Sequence, residues 1–190
     1  MAVYVAARDL AGSAFIGTHQ FIIISPDSHS LPLIKNAEGH IIQPRDLGNN
    51  KLGLVIGAQN RGRLTAEFFE ASDYQATLEH FNPIKYKKWY RADFDTEVKL
   101  VTHKLTDAVF IKRLLDLINN YTINETMDNI PYPSAGLGIN SNSWAQSLIK
   151  ASQGQVKHDF IGADISSNQT IPDIYFQSIC PAKPRPALNQ

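Results

Sequence analysis

The chain reads as an α+β domain: an antiparallel sheet from the N-terminal third, packed with helices from the C-terminal half. Three observations predict this. The first sixty residues are dense in β-branched and aromatic residues broken by short turns. The strongest helical periodicity falls beyond residue 105. The 190-residue length and 43% hydrophobic content suit one core of ordinary size. Residues 1–180 are expected to form a single globular unit. Residues 181–190, with three prolines in their first six positions, are expected to be an extended tail.

Strands are predicted over 3–7 and 18–25, joined by a Gly-containing turn. Two more, over 31–35 and 40–43, flank the hairpin-type loop Asn36-Ala37-Glu38-Gly39. A fifth covers 51–58, after Gly48-Asn49-Asn50. Short connections make these pairings antiparallel. Ser72-Asp73-Tyr74-Gln75 has the form of a capping box, with Ser72 as N-cap and Gln75 reaching back, so a short helix runs to Phe81 and stops at Asn82-Pro83. Thr106 and Asp107 open the longest helix, on which Val109, Phe110, Leu114, Leu117, Ile118 and Tyr121 form one apolar face. Residues 122–139, with Pro131, Pro133 and Gly136, read as a loop. A further helix starts near Ser141 and ends at Gly154, and a short strand covers 174–176.

Composition excludes several function classes. Lys plus Arg equals Asp plus Glu at 18 each, so no partner is selected by bulk charge. Lys85, Lys87, Lys88 and Arg91 interleave with Tyr86, Trp89 and Tyr90, but Asp93, Asp95 and Glu97 follow and cancel the field. A solvated edge strand or surface loop is the expectation there, and no nucleic-acid partner. The single cysteine, Cys180, allows no intramolecular disulfide and no thiolate zinc site. The six histidines are scattered, and Gly53-Leu54-Val55-Ile56-Gly57 lacks the Gly-Lys-Ser/Thr of a phosphate loop. No metal or cofactor is implied. No signal peptide or transmembrane segment is apparent, so the expected location is cytoplasmic as synthesised, with export only through a signal-peptide-independent system.

The chemistry centres on Asn140-Ser141-Asn142-Ser143-Trp144-Ala145. Trp144, Ala145, Leu148 and Ile149 mark the buried face of a helix, which puts Asn140 or Ser141 at its N-cap. Asparagines and serines are favoured there for capping alone. The same geometry also serves a nucleophile, because the positive end of the helix dipole stabilises an anion formed on the first turn.

This segment resembles the Asn-Cys-x-x-aromatic-small start of the nucleophile helix in circularly permuted papain-like proteins, among them lecithin:retinol acyltransferase relatives and permuted NlpC-type hydrolases. Gly17-Thr18-His19-Gln20-Phe21-Ile22 resembles that group's Gly-His-apolar strand, and the order, histidine before nucleophile, matches. The resemblance covers about twenty residues in two patches. It implies a hydrolase or acyltransferase cutting an amide, ester or thioester bond of a small-molecule, lipid or peptide substrate, in a bacterial effector. Ser141 would be the nucleophile and His19 the base, with Asn140 and Asn142 around the oxyanion. His40 is the candidate to orient the imidazole, with Glu67 and Gln59 behind it. Ser141 stands where the family has cysteine, and three readings stand side by side: a serine variant, a degenerate inactive member, or a cysteine replaced by design. The alternative function is a non-catalytic interaction protein that binds a partner or neutralises a toxin, through an exposed patch around Trp89 and Tyr90.

Overall fold

A computed structural model describes residues 2–9, 17–25, 34–35, 40–86, 96–133, 137–157, 160, 166 and 168–178. Its centre is an antiparallel sheet. Strand β1 (Ala2–Asp9) pairs along its whole length with β2 (Thr18–Ser25), from Ala2↔Ser25 to Asp9↔Thr18. Two-residue strands β3 (Ile34–Lys35) and β4 (Ile41–Ile42) form the expected hairpin, although its loop lies outside the described residues. Then come β5 (Arg45–Asp46), β6 (Leu52–Asn60), β7 (Leu64–Phe68) and β8 (Glu97–Leu100). The main sheet has the order β5-β6-β2-β1-β8, with β7 also paired to β6. All eight residues of β2 are buried, as a strand with neighbours on both edges and layers on both faces requires.

Helix α1 (Ala71–Phe81) and the short α2 (Pro83–Tyr86) precede β8. Strand β9 (Thr102–His103), helix α3 (Asp107–Met127), helix α4 (Ser141–Ala151) and strand β10 (Gly154–Gln155) follow, with a 3-10 turn at Asp173–Phe176. Strand alternation divides the side chains between the two faces of the sheet. Ala6, Phe21, Ile23 and Val55 face α1, where Leu47 and Ala76 complete a small core. Val3, Val5, Ile22, Ile24, Leu54 and Ile56 point the other way, into the main core with Phe110, Leu114, Trp144 and Leu148 of α3 and α4. Helices therefore cover both faces, and α1 supplies a layer that the expected arrangement did not contain.

Several elements differ from the sequence reading. The N-cap of α1 is Glu70, whose Oε2 accepts from the backbone N–H of Ser72 and of Asp73. Gln75 bonds forward to Glu79 instead of back to a cap. Helix α3 runs past residue 121 to Met127, because its last turns are anchored by tertiary bonds: Asn124 Nδ2 donates to the carbonyls of Ile174, Tyr175 and Gln177. That contact folds 174–176 into the 3-10 turn rather than a strand. Val109, expected on the apolar face of α3, is exposed, while Ile111 and Leu115 are buried. Lys85 and Tyr86 belong to α2, and residues 87–95, Trp89 and Tyr90 among them, lie outside the described residues, as does the 181–190 tail. Among the described residues, no helix is long and apolar enough to cross a membrane.

Candidate functional site

At the Thr18 end of β2 the two faces of the sheet carry two polar clusters, one residue apart. On the α1 side, His19 is 3% exposed and its Nε2 lies 3.1 Å from Asp73 Oδ2. Asp73 comes from the first turn of α1, and its side chain is wholly buried. Gln59 of β6 donates from Nε2 to the same Oδ2 at 2.7 Å, and Arg8 of β1 donates from Nε to Oδ1 at 2.6 Å. Gly57 makes this convergence sterically feasible: a Cβ there would collide with Asp73 Oδ2 and crowd Gln59 and His19.

The chemistry of the cluster assigns the tautomer. A carboxylate is an acceptor only, so His19 Nε2 must carry the proton that faces it. The 3.2 Å approach of Gln59 Nε2 to the same ring atom is then a close contact between two donors that share Asp73. Among the described residues Nδ1 of His19 makes no hydrogen bond. Burial pushes the Asp73 carboxyl upward, but the charges and hydrogen bonds of His19 and Arg8 outweigh it and hold the group below the ordinary carboxylate range.

On the opposite side lies the start of α4. Asn140 is the N-cap, in extended conformation, and its Oδ1 accepts from the N–H of Asn142 at 2.9 Å and of Ser143 at 3.2 Å. Ser143 Oγ accepts from the N–H of Asn140 in return, a capping box. This cap takes the amides of Asn142 and Ser143 and does not use that of Ser141. Asn142 Oδ1 accepts the backbone N–H of Gln20 at 2.8 Å, and Ser141 Oγ donates to the same Oδ1 at 3.4 Å. A second pin holds the helix to β2, from Gln146 Nε2 to Gln20 Oε1 at 2.6 Å.

The expected helix phase and strand context therefore hold: Trp144 and Leu148 are fully buried, and His19 sits on the central strand. The expected direct contact between Ser141 and His19 does not. Alternation along β2 turns His19 toward α1 and Gln20 toward α4, so the two groups are linked through the backbone of Gln20 and the amide of Asn142 instead of hydrogen-bonding each other. Ser141 is also 3% exposed, so the pair does not stand in an open groove. A cavity of about 300 Å³ lies farther along α4, lined by Ser147, Lys150 and Thr170 to Asp173.

The other expected site residues sort by geometry. His40 is exposed ahead of β4, and the imidazole of His19 is oriented by Asp73 with Gln59 in its place. Glu67 is tied to Arg61 by paired contacts of 2.6 and 2.8 Å. The side-chain oxygens of Asn140 and Asn142 cap α4 and dock it on β2. Asp73 and Arg8 were missed in the sequence. An aspartate on the first turn of a helix reads as a dipole partner, and nothing local places it on His19, 54 residues away. Among the described residues no cluster of His, Cys, Asp and Glu is arranged to hold a metal ion. Comparison with protein-family models, curated proteins and solved structures finds no match.

Proposed function

We propose that this chain is a hydrolase or acyltransferase acting on an amide, ester or thioester bond, with Ser141 as nucleophile, His19 as base and Asp73 as the group that orients the imidazole, on a permuted papain-like arrangement. The observation that carries the reading is the setting of His19. Its Nε2 lies on Asp73, its Nδ1 makes no hydrogen bond among the described residues, and the residue next to it is hydrogen-bonded to the residue next to Ser141. The step proposed requires the start of α4 to move round the Thr18 end of β2, so that Ser141 Oγ reaches His19 Nδ1; Oγ then attacks the carbonyl carbon while its proton passes to Nδ1. The carbonyl oxygen takes the electron pair beside the first-turn amide of Ser141, at the positive end of α4. Collapse of the adduct breaks the bond to the leaving group, which receives the proton from His19 and leaves an acyl-serine. Water or a second acceptor, deprotonated by His19, then attacks the acyl carbon; the bond to Ser141 Oγ breaks and Oγ takes the proton back from His19. Because Ser141 and His19 are both buried, substrate entry requires the segments covering them to part.

The same burial favours a second reading, a non-catalytic interaction protein in which the Ser141 hydroxyl only satisfies a helix start. Rates of wild type, Ser141→Ala and His19→Gln on activated esters, amides and lipid esters separate the two. The enzyme reading expects losses of about 10²-fold or more in both variants, the scale of a general base. Equal rates in all three leave the interaction reading standing.

A further inference from the structure

We propose that Arg8 is a positioning residue which, by holding the second oxygen of Asp73, keeps His19 a neutral base with its proton on Nε2 at neutral pH. The argument starts from charge balance in a buried site. Asp73 is fully enclosed, and an enclosed carboxylate demands a countercharge. Two groups can meet the demand, one per oxygen: Arg8 at Oδ1, 2.6 Å away, and His19 at Oδ2, 3.1 Å away. A guanidinium stays charged at any ordinary pH, whereas an imidazole titrates near neutrality. With Arg8 in place the carboxylate is balanced and the imidazole need only donate Nε2–H. Without it, His19 would be the sole group able to balance Asp73, and a protonated ring has no lone pair with which to accept a proton.

The other charged groups near the ring do not replace Arg8. Glu70, at the N-cap of α1, is 3.7 Å from Arg8 Nη2 and would deepen the negative field once Arg8 were gone. Glu67 on β7, whose register partner on β6 is Gly57, is occupied by Arg61. Across the sheet, α4 brings Ser141, Asn142 and Gln146, all uncharged. Arg8 itself is held by the ladder, since its register partner in β2 is His19. The base and the group that keeps it neutral thus sit directly opposite each other on neighbouring strands.

The role as a base rests on the function proposed above, but the protonation state does not, so the two can fail separately. The test is the ¹⁵N and ¹H ring signals of His19, assigned by their loss in His19→Gln, followed against pH in the full chain. In wild type the expected result is a neutral Nε2–H ring at pH 7. In Arg8→Met the titration midpoint should rise by about one unit or more, the scale set by an uncompensated charge at this range. Arg8→Lys, which keeps the charge, should restore most of the wild-type midpoint. The acid limb of any Ser141-dependent hydrolysis should move by the same amount in the same variants. A wild-type ring that is charged or Nδ1-protonated at pH 7 overturns the proposal without any variant, and so does an unmoved midpoint in a folded Arg8→Met protein. A shifted midpoint with no Ser141-dependent activity would leave the role of Arg8 intact and remove only the enzyme reading.

Discussion

Asn142 Oδ1 accepts the backbone N–H of Gln20 at 2.8 Å across 122 residues of sequence, and this one bond seats the first turn of α4 against the strand that carries His19. Both residues are buried, so the Gln20 amide has no water to turn to. Replacing Asn142 with alanine should destabilise the fold by about 1–3 kcal/mol, the cost of an orphaned buried donor. Urea unfolding followed by tryptophan fluorescence measures it, and a wild-type midpoint would mean that the bond contributes little.

A thiol at position 141 reports on whether His19 faces it. In a Ser141→Cys protein with Cys180 changed to serine, iodoacetamide should label the new thiol faster than free cysteine at pH 6, since the helix dipole and a neighbouring imidazole both favour thiolate. Labelling that rises only above pH 8, as for an ordinary thiol, would show that no base reaches this position.

Among the described residues Trp144 is the largest fully buried side chain, set edge-on to Tyr121 with centroids 5.9 Å apart. Trp144→Ala should cost about 3–5 kcal/mol and loosen the scaffold of Ser141 with it. Trp144→Phe should cost far less, because among the described residues the buried indole Nε1 has no hydrogen-bond partner to lose. Thermal midpoints of the two variants give the comparison.

Two buried carboxylates act on stability in opposite directions with pH. Asp73 is held below its unfolded value of about 3.9, so the unfolded chain binds the extra proton. Its contribution is present above about pH 4 and is lost as the pH falls through the folded value. Glu125 is raised by burial, which Arg63 at 3.2 Å offsets only in part. There the folded chain holds the proton longer, so its contribution is full at low pH and declines as pH rises from about 4.3 through the folded value. Asp73→Asn should therefore flatten the acid limb of a stability–pH profile while lowering the neutral plateau. Glu125→Gln should raise stability at pH 7 relative to pH 4. A neutral plateau lowered in Glu125→Gln as much as in Asp73→Asn would show that the ion pair with Arg63 outweighs burial.

The amino-acid sequence by itself determined the elements whose cause is local. Residues 18–25 form a strand because eight consecutive positions suit a fully buried pleat, and their span was legible to the residue. The α4 helix was legible from its cap and from the spacing of Trp144, Ala145, Leu148 and Ile149, which is why its buried face came out correctly. Tertiary structure decided the rest. Strands β5, β7 and β8 carry weak local signals and exist because neighbouring strands supply their hydrogen bonds. Helix α3 extends to Met127 because distant carbonyls accept from Asn124. In the candidate site, sequence named His19, Ser141 and Gln59, but the identity of the group on the imidazole was settled by packing. Arg8, Gln59 and Asp73 lie on three different elements, and a buried carboxylate draws in whichever donors the fold brings within reach. Sequence order cannot show which face of β2 meets which helix, and that single parity sets His19 on Asp73 and leaves Asn142 to make the link to Ser141.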